Sequence, residues 1–277
     1  MSRAAFDVRA AKEWLHFILR PHAASPQTVK SGLAFVHNFL YYSKHMPLTF
    51  CTNPGNAVPH FPLTPQVSIV LPVYNRRTLV QRAIDSVLAQ SYEDWELVIV
   101  DDGSTDGVEE LILPQVMQHR KIRYMKHANR QLGATRNIGL HAALGECVTF
   151  LDSDDEYEPS HIELRWRFMQ QHPDVDFIHG GFLLIGPAES HYVQDVHNPG
   201  RKIHLSRCCI GSTFFGRKAA FLASGGFKDM QYSAESEFLQ RVQETFKVTQ
   251  VDFPTYRYYT GLDDSICTIY TRDGRKN

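Results

Sequence analysis

Val67-Ser-Ile-Val-Leu-Pro-Val-Tyr-Asn75 and Glu96-Leu-Val-Ile-Val-Asp-Asp-Gly-Ser-Thr-Asp106 decide how this chain folds. Each opens on an apolar, β-branched run too short for a helix and closes on polar turn residues, the pattern of a strand covered on both faces. Between them, residues 78–90 change period, with Leu79, Ala83, Val87 and Leu88 on one helical face. The alternation continues: a helix around 108–117, a strand at 122–126, a helix at 134–144 and a strand at 147–151. Strands alternating with helices are βαβ units. The expected fold is therefore α/β, a mainly parallel sheet flanked by helices.

Toward the N-terminus this pattern stops near residue 65. Residues 1–65 read as a helical extension: Trp14, Leu15, Ile18 and Leu19, then Leu33, Val36, Phe39 and Leu40, recur at helical spacing. A linker marked by Pro47, Pro54, Gly55, Pro59, Pro62 and Pro65 follows. The expected division is thus 1–65 and 66–277. The extension sets Arg3, Arg9, Lys12, Arg20, Lys30 and Lys44 against Asp7 and Glu13, a surplus of +4 in a chain whose net charge is −1. It fits a helical cap better than a docking arm or a peripheral membrane contact, because its basic residues are sparse.

With 43% apolar and 21% charged residues the chain is globular in composition, which excludes a disordered, collagen-like or coiled-coil protein. A net charge of −1 offers no basic field for nucleic acid. No apolar run reaches the ~18–20 residues of a membrane span, and Arg9, Lys12 and Glu13 interrupt any secretory core. Five cysteines without a CxxC, and fourteen histidines without an HExxH, signal neither a disulfide framework nor a zinc cage. A reducing cytoplasm is the expected compartment.

In an open α/β sheet, ligands bind beyond the carboxyl ends of the strands. There the second strand supplies Asp101, Asp102 and Asp106, and the fourth supplies Asp152, Asp154 and Asp155. Six carboxylates at one edge repel one another, and a hard divalent cation such as Mg2+ or Mn2+ is the simplest compensation. Several other readings fail. Tyr157 stands where an EF-hand loop needs glycine, and neither GxGxxG nor GxxxxGK[ST] occurs. Asp152-Ser-Asp154 keeps a Mg-dependent phosphatase open as an alternative.

The two opening stretches, together with Gly133-Ala-Thr-Arg-Asn-Ile-Gly139 and Gly145-Glu-Cys-Val-Thr-Phe-Leu-Asp-Ser-Asp-Asp155, closely resemble family 2 inverting glycosyltransferases over about residues 66–260. The resemblance implies a GT-A fold and transfer of a sugar from a nucleoside-diphosphate sugar, with UDP favoured. Such an enzyme takes a carbohydrate or glycolipid acceptor, in polysaccharide or glycoconjugate synthesis. It implies that Pro72, Tyr74 and Asn75 line the base pocket, that Asp102 accepts the base imide N–H, and that Arg136 lies near the nucleotide or its phosphates. Asp152, Ser153 and Asp154 occupy the family's DxD motif. Asp154 is the expected metal ligand for Mn2+ or Mg2+, and Asp152 faces ribose or metal.

Inversion requires a general base. In such enzymes it is the Asp of a Glu-Asp pair preceding an arginine on one helix. Registering Ala234-Glu-Ser-Glu-Phe-Leu-Gln-Arg241 on that arginine puts Glu235 at the base and Ala234 where the family has Glu. Glu237 is the competing candidate. The lost acid at 234 also leaves open a catalytically weak, nucleotide-sugar-binding relative. Gly211-Ser-Thr-Phe-Phe-Gly216 and Asp263-Asp264 resemble the family's approach to the base and its C-terminal cover.

Overall fold

The computed structural model describes residues 64–195, 198, 200–230 and 232–273. The helices expected within 1–63 lie outside the described residues. Strands β1 (Val67–Val73), β2 (Trp95–Asp101), β3 (Ile122–Lys126) and β4 (Cys147–Phe150) form the parallel part of the central sheet. They alternate with α1 (Val80–Leu88), α2 (Glu109–Gln118) and α3 (Gln131–Ala142), as the sequence predicts. The buried stripe of α1 is Val80, Ala83, Ile84 and Val87, shifted from the expected one at two positions. Leu79 is the N-cap and Leu88 packs only partly against the core.

Beyond β4 the chain adds β5 (Glu156–Tyr157), α4 (His161–Gln171), β6 (Phe177–His179) and β7 (Phe182–Ile185). Then come β8 (Tyr192–Gln194), β9 (Lys202–His204), β10 (Phe215–Arg217), α5 (Lys218–Ala223) and α6 (Ala234–Gln243). The described chain closes with β11 (Val248–Gln250), β12 (Tyr256–Tyr259) and α7 (Ile266–Asp273). The central sheet runs β11-β6-β10-β4-β1-β2-β3, with β10 antiparallel to its neighbours β4 and β6. A smaller sheet, β5-β12-β7, stands beside it.

Every residue of β1 and β2 is buried, because alternate side chains feed two different cores. Ile69, Leu71 and Val73 meet Leu97 and Ile99, the α1 stripe, and Ile162 and Met169 of α4 on one face. Val70, Val98 and Val100 join Val148, Phe150 and Leu140 on the other, under Phe221 of α5 and Phe238 of α6. That second core is aromatic: Phe150 meets Phe227 edge-on at 5.2 Å, and Phe221 stacks on Phe238 at 5.5 Å. Each fully buried phenylalanine contributes about 2–3 kcal/mol. Together they anchor α6, whose outer side carries Glu235. Edge strand β3 is only half buried and alternates Ile122, Arg123, Tyr124, Met125 and Lys126, which suits a strand with one neighbour.

Register places the loops. Val73 lies opposite Asp101, and Val70 opposite Phe150, so β1, β2 and β4 all end at one edge. Among the described residues no helix is long and apolar enough to cross a membrane.

Candidate active site

β1 has β2 on one flank and β4 on the other, so the loops leaving their carboxyl ends diverge around a crevice. Asn75 adopts a left-handed backbone at φ +51°, which asparagine tolerates. Its N–H donates to Ser104 Oγ at 2.9 Å, and its Oδ1 accepts the Thr105 N–H at 2.8 Å, so the first two loops are tied together. Pro72 is buried, whereas Tyr74 is 49% exposed and therefore is not core packing.

The second loop divides its carboxylates by depth. Asp101 is wholly buried and accepts from the Ser104 N–H and the Tyr124 hydroxyl, each at 2.7 Å. Asp106 accepts backbone N–H groups of Arg77 and Val108. Asp102 accepts the Arg130 N–H at 2.6 Å and lies 3.5 Å from His127 Nδ1. Gly103 follows at φ +78°, where a Cβ would stand 2.9 Å from the Asn129 nitrogen; only glycine fits this turn.

The third loop alternates likewise. Asp155 is sealed inside, accepting from the Tyr256 hydroxyl at 2.6 Å and the Tyr259 N–H at 2.8 Å. Burial, then the charges of Asp154 and Asp152, push its pKa well above the ordinary carboxylate range. Ser153 is buried too. The expectation of six uncompensated carboxylates is thereby corrected: Asp101, Asp106 and Asp155 are consumed by local hydrogen bonds that the sequence does not display.

Asp152 is held from two sides. Its Oδ1 accepts from Arg136 Nη2 at 2.8 Å, and its Oδ2 accepts from the Ser212 hydroxyl. The same guanidinium donates through Nη1 to Glu235 Oε1 at 2.5 Å. Arg136 is 1% exposed, with the rings of Phe227 and Phe150 at 5.5 and 5.8 Å. Burial alone would lower its pKa; the two carboxylates reverse that and hold it charged. Arg136, expected near the nucleotide or its phosphates, is buried and bridges two acids 83 residues apart in sequence.

Asp154 has weaker compensation. Burial, followed by the charge of Asp152, raises its pKa to about 6, which Arg76 offsets only in part from 3.9 Å. Arg76 is engaged elsewhere, pairing with the Asp264 carboxylate and donating to the Asp264 carbonyl at 3.1 Å. Arg82 donates to the Asp154 carbonyl and lies 3.7 Å over the Tyr259 ring. No group of three or more acid, histidine or cysteine side chains among the described residues forms a metal cage. What the described residues offer a hard cation such as Mg2+ or Mn2+ is the one undercompensated carboxylate of Asp154.

On α6, Ala234, Phe238 and Val242 are buried, which leaves Glu235 at the margin of the cleft. Its neighbour Gly211 has no side chain to spare: a Cβ there would land inside the Glu235 side chain and 3.2 Å from Arg136 Nη1. Glu237 points to other partners, Arg241 at 2.9 Å and Lys228 at 2.6 Å. The Arg241 hydrogen bond is the main reason its pKa drops to about 2.

Behind the site, Arg165 is fully buried and bonds neutral groups only: Thr255 Oγ1 at 2.7 Å and the Gly180 carbonyl at 2.8 Å. Desolvation draws its pKa down to about 10. Gly180 in turn donates its N–H to Thr213 Oγ1, beside Ser212. His161 stacks on Tyr157 at 3.7 Å and is kept neutral by burial and by Arg165; it is a packing histidine. Sequence reading missed Arg76 and Tyr256, and had Ser212 only as part of the segment approaching the base. For Arg76 a signal existed, since Arg76-Arg77 directly follows Asn75, which the family resemblance places in the base pocket.

Fold and edge geometry are those of the GT-A fold. The solved structure of Staphylococcus aureus TarS residues 1–349 with UDP-GlcNAc superposes with a TM-score of 0.58 at 19% identity, over 73% of this chain and 60% of that one. A mannosyltransferase from Pyrobaculum calidifontis, in complex with GDP-Man and Mn2+, gives 0.56 at 19% identity, over 81% and 65%. The Glycosyl transferase family 2 profile matches residues 68–224, more than half of the chain, and the chain belongs to that family. Among curated relatives, an uncharacterized glycosyltransferase of Rickettsia felis is 37% identical over 133 residues, 48% of this chain and 22% of its own length. The putative teichuronic acid biosynthesis glycosyltransferase TuaG of Bacillus subtilis is 34% identical over 140 residues, 49% of this chain and 54% of its own. The matched stretch thus spans about a fifth to a half of these two relatives. Family membership leaves no place for the phosphatase reading.

Proposed function

We propose that the chain is an inverting, metal-assisted glycosyltransferase that moves a hexose from a nucleoside-diphosphate sugar, UDP-linked by preference, to a hydroxyl of a growing polysaccharide or glycoconjugate. The observation that carries this reading is the Arg136 bridge, which sets the Glu235 carboxylate beside Asp152 in the crevice at the strand ends. The catalytic unit is residues 66–277, with residues 1–65 as a separate extension, acting in the cytoplasm or at a membrane's inner face.

In this reading the nucleotide base lies against Tyr74, in the loop of Pro72 and Asn75, with its imide N–H donated to Asp102. Asp152 and Ser153 face the ribose and diphosphate. Glu235 takes the proton of the acceptor hydroxyl while its oxygen attacks the anomeric carbon. The bond from that carbon to the phosphate oxygen breaks in the same displacement. Its electron pair leaves on the nucleoside diphosphate, and configuration inverts. A divalent ion held by Asp154 would supply Lewis-acid stabilisation of the charge growing on that diphosphate. Relatives support the donor class: TarS was solved with UDP-GlcNAc and with UDP, and the mannosyltransferase with GDP-Man and Mn2+.

The test is a thermal-shift panel of nucleoside diphosphates and their sugars with Mn2+, Mg2+ or EDTA, followed by product analysis. A ligand at 100 times its Kd adds about 2.7 kcal/mol of stability. A metal-dependent shift with UDP, lost in Asp154→Ala, together with an inverted product, is the expected result. Binding without transfer or hydrolysis would support the second reading instead, a nucleotide-sugar-binding relative, which the buried Ala234 at the usual acid position favours.

A further inference from the structure

Arg136 lies within the family's glycine-bounded segment, yet its geometry is wrong for a ligand contact. At 1% exposure it has no face to offer a diphosphate. Its hydrogen bonds run to Asp152 and Glu235, on the two sides of the cleft. Its Nε is buried without a partner, so the side chain forgoes one bond to make these two. Phe150 and Phe227 flank the guanidinium and limit where it can move. Both carboxylates keep about a fifth of their side-chain surface open, at 22% and 20%, so each can still meet a ligand.

We propose that Arg136 is a positioning residue that acts through Glu235: its planar fork fixes the proton-accepting carboxylate at a set distance from Asp152, and so from the donor's anomeric carbon. The inference rests on the transferase reading above. It also accounts for two departures from the family pattern. Glu235 has a longer arm than the usual aspartate, and Gly211 leaves the space over which that arm lies. Ala234 lacks the acid that supports the base elsewhere, and the guanidinium takes over that support from beneath. A point-charged ammonium cannot reproduce a fork that meets two carboxylates at once.

The test is steady-state kinetics alongside nucleotide-sugar titration of the full chain and two variants. Arg136→Lys keeps the charge and loses the fork. Gly211→Ala displaces the Glu235 side chain and crowds Arg136 Nη1, and it serves if the lysine variant does not fold. Displacing a reacting group by about 1 Å costs on the order of 100-fold in rate. The expected result is a fall of about that size in kcat for both variants, with donor Kd and KM shifted by less than tenfold because the Ser212 hydroxyl still holds Asp152. A donor Kd weakened tenfold or more in Arg136→Lys, with kcat retained, would make Arg136 a diphosphate ligand and overturn the inference while the transferase reading stands. Full kcat in Gly211→Ala would also overturn it. Absence of turnover in the unmodified chain, despite nucleotide binding, overturns both.

Discussion

Replacing Tyr256 by phenylalanine removes one oxygen and leaves the ring, which touches Tyr157 at 5.7 Å and His161 at 6.0 Å. No cavity opens, so the cost is chiefly that of two lost hydrogen bonds. One is a short bond to the buried Asp155 carboxylate; bonds to charged groups contribute about 1.5–3 kcal/mol. The other is the 3.3 Å bond accepted from the Asp152 N–H, about 1 kcal/mol to leave unmade. The expected loss at pH 8 is therefore about 3 kcal/mol, or about 6–12 °C in Tm for a unit of this size. Protonation limits it. The pKa of Asp155 is already raised by burial, and Tyr256 is among the groups restraining it, so the variant raises it further. A carboxyl with a raised folded pKa gains stability as pH falls toward its unfolded value near 3.8, and loses it as pH rises through the folded value. The gap between Tyr256→Phe and the parent should narrow to about 1 kcal/mol as pH is lowered from 8 to 4. Urea denaturation at the two pH values measures it. A loss under about 0.5 kcal/mol at pH 8, or an equal loss at both, refutes the sealed-carboxylate account.

Asp102→Ala removes the acceptor assigned to the base imide; nucleotide affinity measured by titration should fall about 10- to 100-fold for UDP, the weight of one charge-assisted bond. Glu237→Gln deletes the ion pairs with Arg241 and Lys228 and, because that site is partly open to solvent, should cost about 1 kcal/mol at pH 7. With a folded pKa depressed to about 2, the Glu237 contribution is present above pH 4.5 and is lost as pH falls toward 2, so parent and variant should converge in acid unfolding curves. Asp264→Ala breaks an exposed pair with Arg76 and should change Tm by less than about 3 °C, an effect that vanishes in 1 M salt.

The parallel half of the fold was legible because its strands are buried on both faces, and such strands read as unbroken apolar runs. Ile122–Lys126 even keeps its expected bounds. The smaller sheet was not legible: β5 has two residues, and β12 is recognisable only through its partners β5 and β7, distant in sequence. At the site, residue types and their loops could be read, but their division of labour could not. Asp101 and Asp102 are adjacent in sequence and differ only in the partners the fold brings, Tyr124 to one and the Arg130 backbone to the other. The Arg136–Glu235 pair joins residues 99 apart, across two helices on one aromatic core. Nothing in local spacing encodes that distance.

Arg165 carries a practical consequence. It sits behind the candidate site, solvated by backbone carbonyls and one threonine, and reaches that site through Gly180, Thr213 and Ser212 on one side and through Thr255, next to Tyr256, on the other. A mutagenesis library drawn around a docked substrate would omit it, and an alanine scan of the cleft would never sample it. Because no described residue gives its cation an acidic counterpart for a rescuing double mutant, position 165 is where heat-sensitive alleles should accumulate, with full turnover at low temperature and abrupt loss a few degrees higher.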